Sequence, residues 1–207
     1  MSKIEVKLAE IKAKFPECET LGVQCDFAKL DSISDYRELV EKNLANIDVG
    51  FLCLNAGLAK FGCIGVITDD RLEDTWRVNI LHPIYMLQAL ASQLMKRDQR
   101  CGVLFTSSLA ASGVFSGMAS YSATKRAISC FGEAMHWELK ENVDVPVWEP
   151  AYTESNIHIE KPPAMFTLPT KTAVRDVFNK FGERKTRGSL RFGFTPTIHG
   201  RPELGDW

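Results

Sequence analysis

The chain has 207 residues, which suits one domain with a full core and leaves little room for a second. Apolar residues make up 45% and charged residues 25%, a balance that excludes disordered and fibrous readings. With 25 basic against 26 acidic side chains, the formal charge of −1 leaves no electrostatic footprint for nucleic acid or for an anionic membrane surface.

Ile4, Leu8, Ile11 and Phe15 form one stripe of an amphipathic helix that ends at Pro16. Residues 20–25 (TLGVQC) read as a short strand closed by Asp26. Asp31 or Ser32 can cap a second helix whose apolar face is Ile33, Tyr36, Val40 and Leu44, with Leu39 beside it. Residues 49–54 (VGFLCL) are a continuous apolar run, the pattern of a strand buried on both faces of a parallel sheet. Asp69 or Asp70 opens a long helical segment to about Lys96, with a kink expected at Pro83. Residues 103–106 (VLFT) are the third strand and run straight into Ser107 and Ser108. A long helix covers 121–141. A fourth strand over 143–148 contains Pro146, which points to an edge position. A helix near 171–181 precedes a basic, glycine-punctuated tail, in which Arg184, Lys185, Arg187 and Arg191 read as solvated.

Strands alternating with helices predict an α/β fold, a three-layer, doubly wound parallel sheet. The whole of 1–207 reads as a single domain, with 151–207 as a substrate loop and C-terminal tail of that same domain. In such sheets ligands bind beyond the carboxyl ends of the strands. Those ends carry Asp26, then Asn55, Ala56 and Gly57, then Ser107 and Ser108, then Pro150.

The six cysteines and four histidines have no zinc-ligand spacing, so no metal is expected. The start is charged and has no apolar core of a signal peptide, and no run of 18 residues is purely apolar. A reducing, cytoplasmic setting follows, with the endoplasmic reticulum as the alternative if an anchor lies outside this sequence.

Taken in order, Asn55-Ala56-Gly57 after an apolar strand, Asn79 within a helix, Ser108 at a strand end and Tyr121-x-x-x-Lys125 at a helix start resemble the short-chain dehydrogenase/reductase family. The spacings agree with the family pattern: 29 residues from Asn79 to Ser108 and 13 from Ser108 to Tyr121. Pro150 and Thr153 stand where the family has P-G-x-V-x-T, and the likeness covers roughly residues 1–160. The resemblance implies a Rossmann-like fold and an NAD(P)-dependent oxidoreductase acting on a hydroxyl/carbonyl pair. It makes Tyr121 the general acid/base and Lys125 its helper and ribose ligand. Ser108 becomes a donor to the substrate oxygen, and Asn79 the residue ordering a water behind Lys125. Asp26, Asn55, Ala56, Gly57, Pro150 and Thr153 join Tyr121 and Lys125 as cofactor-binding positions.

That chemistry needs these residue types. A phenol titrates near 10 in water, and an ammonium on the same helix face should lower that value. The fainter likeness of the KLAEIKAKFP and KTRGSLRFGF segments to the hydroxysteroid dehydrogenase and 3-oxoacyl-CoA reductase branch implies a lipid-like substrate and favours NADP over NAD. The resemblance to the short-chain dehydrogenase/reductase family also implies a possible homodimer through helices 70–96 and 121–141.

The sequence departs from the family at its front. It contains no T-G-x-x-x-G-x-G, the glycine-rich helix start that holds the cofactor pyrophosphate. Gly57, Gly62 and Gly65 follow the wrong strand, and Cys63 rather than Lys follows Gly62, which also excludes a P-loop. The expectation is a chain lacking the first βαβ unit, with residues 20–25 deprived of both neighbours. A catalytically impaired chain acting as a binding or assembly partner is therefore the competing reading.

Overall fold

The computed structural model describes residues 2–113, 115–139, 141–154, 167–179, 181 and 185–187. Helix α1 (Lys3–Lys14) starts with a capping box in which Ser2 and Glu5 satisfy each other's backbone amides. It buries no residue, and Ile4 and Leu8 of its apolar stripe lie against Gly22. The strand expected over 20–25 is not formed. Residues 20–26 carry no regular structure and lead into a 3₁₀ turn, Phe27–Lys29. A strand needs a ladder partner. None lies beside this stretch among the described residues, and Leu21 is 60% exposed.

Helix α2 (Ile33–Leu44) is capped by Ser32, again through a capping box, with Asp35. Its Tyr36 is fully buried. Strand β1 (Phe51–Leu54) pairs in parallel with β2 (Cys101–Thr106), Phe51 opposite Gly102 and Leu54 opposite Phe105. The expectation that both faces of β1 are buried is corrected, since Phe51 and Cys53 are exposed and only Leu54 is buried. Among the described residues its one neighbour is β2. Strand β2, by contrast, is buried over five of its six residues.

The long helical segment is interrupted one turn before the place expected. It divides into α3 (Asp69–Trp76), a π-helical turn (Arg77–Leu81) and α4 (His82–Met95). Pro83 explains the break: it has no N–H for the carbonyl of Asn79, and its ring crowds that carbonyl. The His82 amide accordingly reaches back five residues to Arg77. The widened turn buries Asn79.

A 3₁₀ turn (Leu109–Ser112) and helix α5 (Ala119–Glu138) follow β2. The expected fourth strand is two pieces, β3 (Val143–Asp144) and β4 (Val147–Glu149), both parallel to β2. Pro146 breaks the ladder, while its carbonyl still accepts from Phe105 N at 3.2 Å. The edge position inferred from Pro146 is also corrected. Strand β4 lies between β2 and β5 (Lys185–Arg187), in the order β1-β2-β4-β5. Lys185–Arg187 is thus a strand rather than an irregular tail, because main-chain pairing with Val147–Glu149 is indifferent to side-chain charge. Arg184 and Arg191 lie outside the described residues, as does most of 151–207.

Two helical layers sandwich the sheet. On one face Phe131 of α5 meets Phe105 edge-on at 5.8 Å, and Leu90 and Leu94 of α4 join the core with Val103. On the other face α6 (Thr170–Asn179) sets Phe178 against Phe51, and Phe181 lies over Gly102. Helix α5 comes unusually close. A β-carbon on Gly132 would sit 2.5 Å from Val147 Cγ2 and 3.1 Å from Phe105 Cδ2. No helix among the described residues is long and apolar enough to cross a membrane.

Candidate active site

The carboxyl ends of β1, β2 and β4 meet the start of α5. Ser108 ends the β2 segment in extended conformation and caps the next turn, its Oγ accepting from Ala110 N at 3.2 Å. Tyr121, 8% exposed, has its hydroxyl within the influence of the Ser108 side chain, which draws its titration down against burial. Lys125, one helical turn on, is 4% exposed and donates from Nζ to the Thr106 carbonyl at 3.0 Å. Its Nζ stands 5.9 Å from the centre of the Tyr121 ring. The three residues thus converge on one mouth of the sheet, as their helix and strand positions require.

Their electrostatics differ from the expectation. Burial raises the Tyr121 phenol above its ordinary value, and the Ser108 side chain is what pulls it back. Lys125 does not supply that lowering, because its ammonium is turned onto a carbonyl. Burial instead brings Lys125 down to about 8.

The side chain of Asn79 is bonded within the protein. Its Oδ1 accepts from Leu58 N at 2.8 Å, and its Nδ2 donates to the Leu58 carbonyl at 2.9 Å and to Thr124 Oγ1 at 3.0 Å. Both amide protons are therefore used to clamp the loop after β1 onto α5. Within that loop Asn55 is exposed, while Ala56 and Gly57 are half-buried. A β-carbon on Gly57 would lie 3.3 Å from Lys125 Nζ and 3.5 Å from Asn79 Oδ1. A side chain there would touch Asn79 at ordinary contact distance and would push the Lys125 tip by a few tenths of an ångström.

The remaining expected positions lie around this centre or apart from it. Pro150 ties the loop after β4 to the turn after Ser108, its carbonyl accepting from Leu109 N at 3.0 Å. Thr153 turns its hydroxyl onto the Ala151 carbonyl and forms a parallel bridge with Leu168. Asp26 is exposed and caps its own 3₁₀ turn, accepting from Ala28 N at 3.2 Å. It is not drawn into the Ser108–Tyr121–Lys125 group by any side-chain hydrogen bond among the described residues.

Sequence reasoning missed four neighbours. Phe61 stands edge-on to Tyr121 at 5.8 Å, in a loop fastened by Gly62 N to the Gly117 carbonyl at 2.8 Å. Ser107, Ser129 and Glu149 are buried beneath Lys125 and joined by hydrogen bonds. The available signal was Glu149 itself, a carboxylate at the end of the apolar run VPVW.

The sequence matches the short chain dehydrogenase family over residues 1–165. A 3-oxoacyl-acyl-carrier-protein reductase, MabA, of Mycobacterium tuberculosis is 26% identical over 137 residues, which are 66% of this chain and 54% of that protein. A CLA biosynthesis dehydrogenase/reductase of Lactiplantibacillus plantarum is 27% identical over 157 residues, 73% of this chain and 54% of that protein. The chain spans about half the length of these curated relatives. Among solved structures, a short-chain dehydrogenase from Sphingobium yanoikuyae in complex with NADPH superposes with a TM-score of 0.77 at 18% identity, over 91% of this chain and 75% of the other. A 7beta-hydroxysteroid dehydrogenase gives 0.75 at 24% identity, over 91% and 74%. These structural likenesses carry the fold, and the sequence match carries the lineage: the chain belongs to the short-chain dehydrogenase family.

Proposed function

We propose that this chain is the catalytic part of an NAD(P)-dependent oxidoreductase that interconverts a hydroxyl and a carbonyl, with Tyr121 as general acid/base. The observation that carries the reading is the meeting of Ser108, Tyr121 and Lys125 at one sheet mouth, with Lys125 Nζ 5.9 Å from the Tyr121 ring and Ser108 acting on the phenol. A bound nicotinamide supplies or takes the hydride at carbon. The proton at oxygen falls to the side chains. In reduction, Tyr121 gives its phenolic proton to the carbonyl oxygen, and Ser108 donates a hydrogen bond to the same oxygen as charge develops there. Lys125, with a value near 8, exchanges protons in the physiological range and serves as the local proton reservoir.

The residues fit one end of the cofactor. Tyr121 and Lys125, with Pro150 and Thr153 around them, suit the nicotinamide riboside, and the loop of Asn55, Ala56 and Gly57 suits the adenosine half. The pyrophosphate end lacks its holder: no strand among the described residues leads into a glycine-rich helix N-terminus. Asp26 is the adenine-side candidate. NADP is favoured over NAD by the branch resemblance, and the NADPH-bound dehydrogenase above is consistent with it. The names of MabA and the 7beta-hydroxysteroid dehydrogenase support a lipid-like, 3-oxoacyl or steroid substrate. A cytoplasmic setting and a homodimer through α4 and α5 complete the reading.

A second reading has its own support. Among the described residues, strand β1 is paired on one side and residues 20–25 have no ladder partner, so the chain has surface to share with another polypeptide. On this reading it is an impaired, dehydrogenase-like binding or assembly partner.

Calorimetric titration of NADP and NAD separates the two. The 207-residue chain should bind weakly or not at all. A version extended with a glycine-rich strand–helix unit should bind tightly and reduce a 3-oxoacyl or steroid ketone. Tyr121→Phe in the extended protein should abolish turnover while keeping cofactor affinity. An extended protein that binds cofactor yet turns over no carbonyl would favour the partner role.

A further inference from the structure

Beneath the candidate site lies a chain of buried polar groups that the reaction scheme does not use. Glu149, the last residue of β4, has no exposed surface, and Ser129 and Ser107 are 4% and 2% exposed. The Ser129 hydroxyl lies 2.7 Å from Glu149 Oε1 and 2.7 Å from Ser107 Oγ. Ser107 Oγ donates to the main-chain carbonyl of Lys125 at 2.8 Å, and Ser107 N donates to the Trp148 carbonyl at 2.7 Å. Lys125 is therefore held at both ends. Its carbonyl is tied to Ser107 and its ammonium to the carbonyl of Thr106, two successive residues at the end of β2.

We infer that Glu149 is a positioning residue: through Ser129 and Ser107 it fixes the Lys125 turn of α5 against the end of β2, and so sets where Lys125, Tyr121 and Ser108 stand. The inference rests on the reading of those three residues as the reaction centre. A carboxylate is costly to bury, and a hydrophobic side chain would fill the same space without that cost. What Glu149 adds is a directional hydrogen-bond partner joining β4 to α5, where apolar packing alone permits helix sliding. The action is geometric. Burial is the one cause of the lowered Lys125 value, with no contribution from a carboxylate. The ammonium is faced by the Tyr121 ring from its own helix and by uncharged groups of Thr106, Asn79 and Gly57 from the neighbouring elements.

The test uses the 207-residue chain and needs no turnover, so it can fail or succeed independently of the proposed reaction. The Lys125 side chain is followed by NMR with ε-13C-labelled lysine, its signal assigned by loss in Lys125→Met. In the native chain it titrates near 8. Glu149→Gln keeps the shape and an acceptor, and should leave that midpoint in place. Glu149→Leu cuts the chain, frees the turn and lets water reach the ammonium, moving the midpoint up by about two units toward the ordinary lysine value. Leu90→Ala, in the core but off this chain of bonds, should lower thermal stability without moving the midpoint. If Glu149→Leu does not fold, Ser129→Ala removes the bridging hydroxyl with little change in volume and should shift the midpoint in the same direction. An unmoved midpoint in the folded leucine or alanine variant overturns the inference. So does a shift in Glu149→Gln as large as in Glu149→Leu, which would make the effect one of charge.

Discussion

Two opposing influences act on the Tyr121 hydroxyl. Burial raises its titration, because a phenolate is poorly solvated among Phe61 and the start of α5, and the hydrogen-bonding influence of Ser108 offsets part of that rise. Removing it leaves burial unopposed. Ser108→Ala should therefore shift the Tyr121 phenol transition further up, read as the ultraviolet difference absorbance of the tyrosinate against Tyr121→Phe. A downward shift would mean that Ser108 holds the phenol in its neutral form. The residue types were legible in the chain as a set, since Tyr121 and Lys125 must share a helix face and Ser108 must end a strand. Their electrostatics were not. That an ammonium four residues from a phenol bonds instead to the Thr106 carbonyl depends on how far α5 leans over β2, and no spacing along one helix reports a distance between a helix and a sheet.

At the level of elements, the closeness of α5 to the sheet is decided at Gly132. Alanine there would gain about 1 kcal/mol of intrinsic helix preference. Its β-carbon would also stand 2.5 Å from Val147 Cγ2, in a layer where both Val147 and Phe105 are fully buried and cannot retreat. Overpacking of this kind costs about 1–3 kcal/mol, so the steric term should win. Gly132→Ala should lower the urea midpoint at unchanged slope, and it should weaken the Ser107–Lys125 contact by pushing α5 outward. Elements whose pattern is set by their own residues could be read in the sequence: the buried β2 run, the long α5, the capping of α2 by Ser32, the interruption caused by Pro83. Elements that depend on a neighbour could not. Residues 20–25 read as a short strand and β1 as a buried one, yet among the described residues the first is unpaired and the second is paired on one side. Pairing is a property of two segments, and the apolar pattern of one segment does not contain it. Pro146 misled for the opposite reason: a residue that cannot donate on one side can still accept on the other, so a proline is tolerated beside the central strand when its carbonyl faces Phe105.

Across the whole molecule, the region before β1 is joined to the sheet-bearing body by the packing of Leu39 and Val40 on the core, by the Arg77–Asp31 and Arg97–Asp48 ion pairs and by an aromatic cluster. Phe27 of the 3₁₀ turn stacks on His82 of α4 with centroids 3.6 Å apart, and Tyr36 of α2 lies 5.9 Å from the same imidazole. His82 is 4% exposed, and its Nδ1 is buried with no hydrogen-bond partner. Protonation would place a charge there. A cation over the Phe27 face recovers about 0.5–2 kcal/mol, but burial outweighs it and brings His82 down to about 4 from an ordinary 6.5. The sign follows from proton binding. Between pH 6.5 and 4 the unfolded chain takes up a proton on His82 that the folded chain refuses, so the contribution is fully present above 6.5 and is lost as pH falls toward 4. A difference of this size corresponds to about 3 kcal/mol, a large share of the 5–15 kcal/mol typical of a domain. Acidification should thus separate the α2 region from the body before the sheet itself melts. His82→Phe keeps a flat ring in the stack and removes the titration. Urea unfolding at pH 7 and at pH 4.5 should show the native chain losing about 2–3 kcal/mol more than the His82→Phe variant over that interval, with amide exchange rising first in α2. Equal losses in the two proteins would assign the acid limb to the carboxylates and leave the aromatic cluster with a packing role alone.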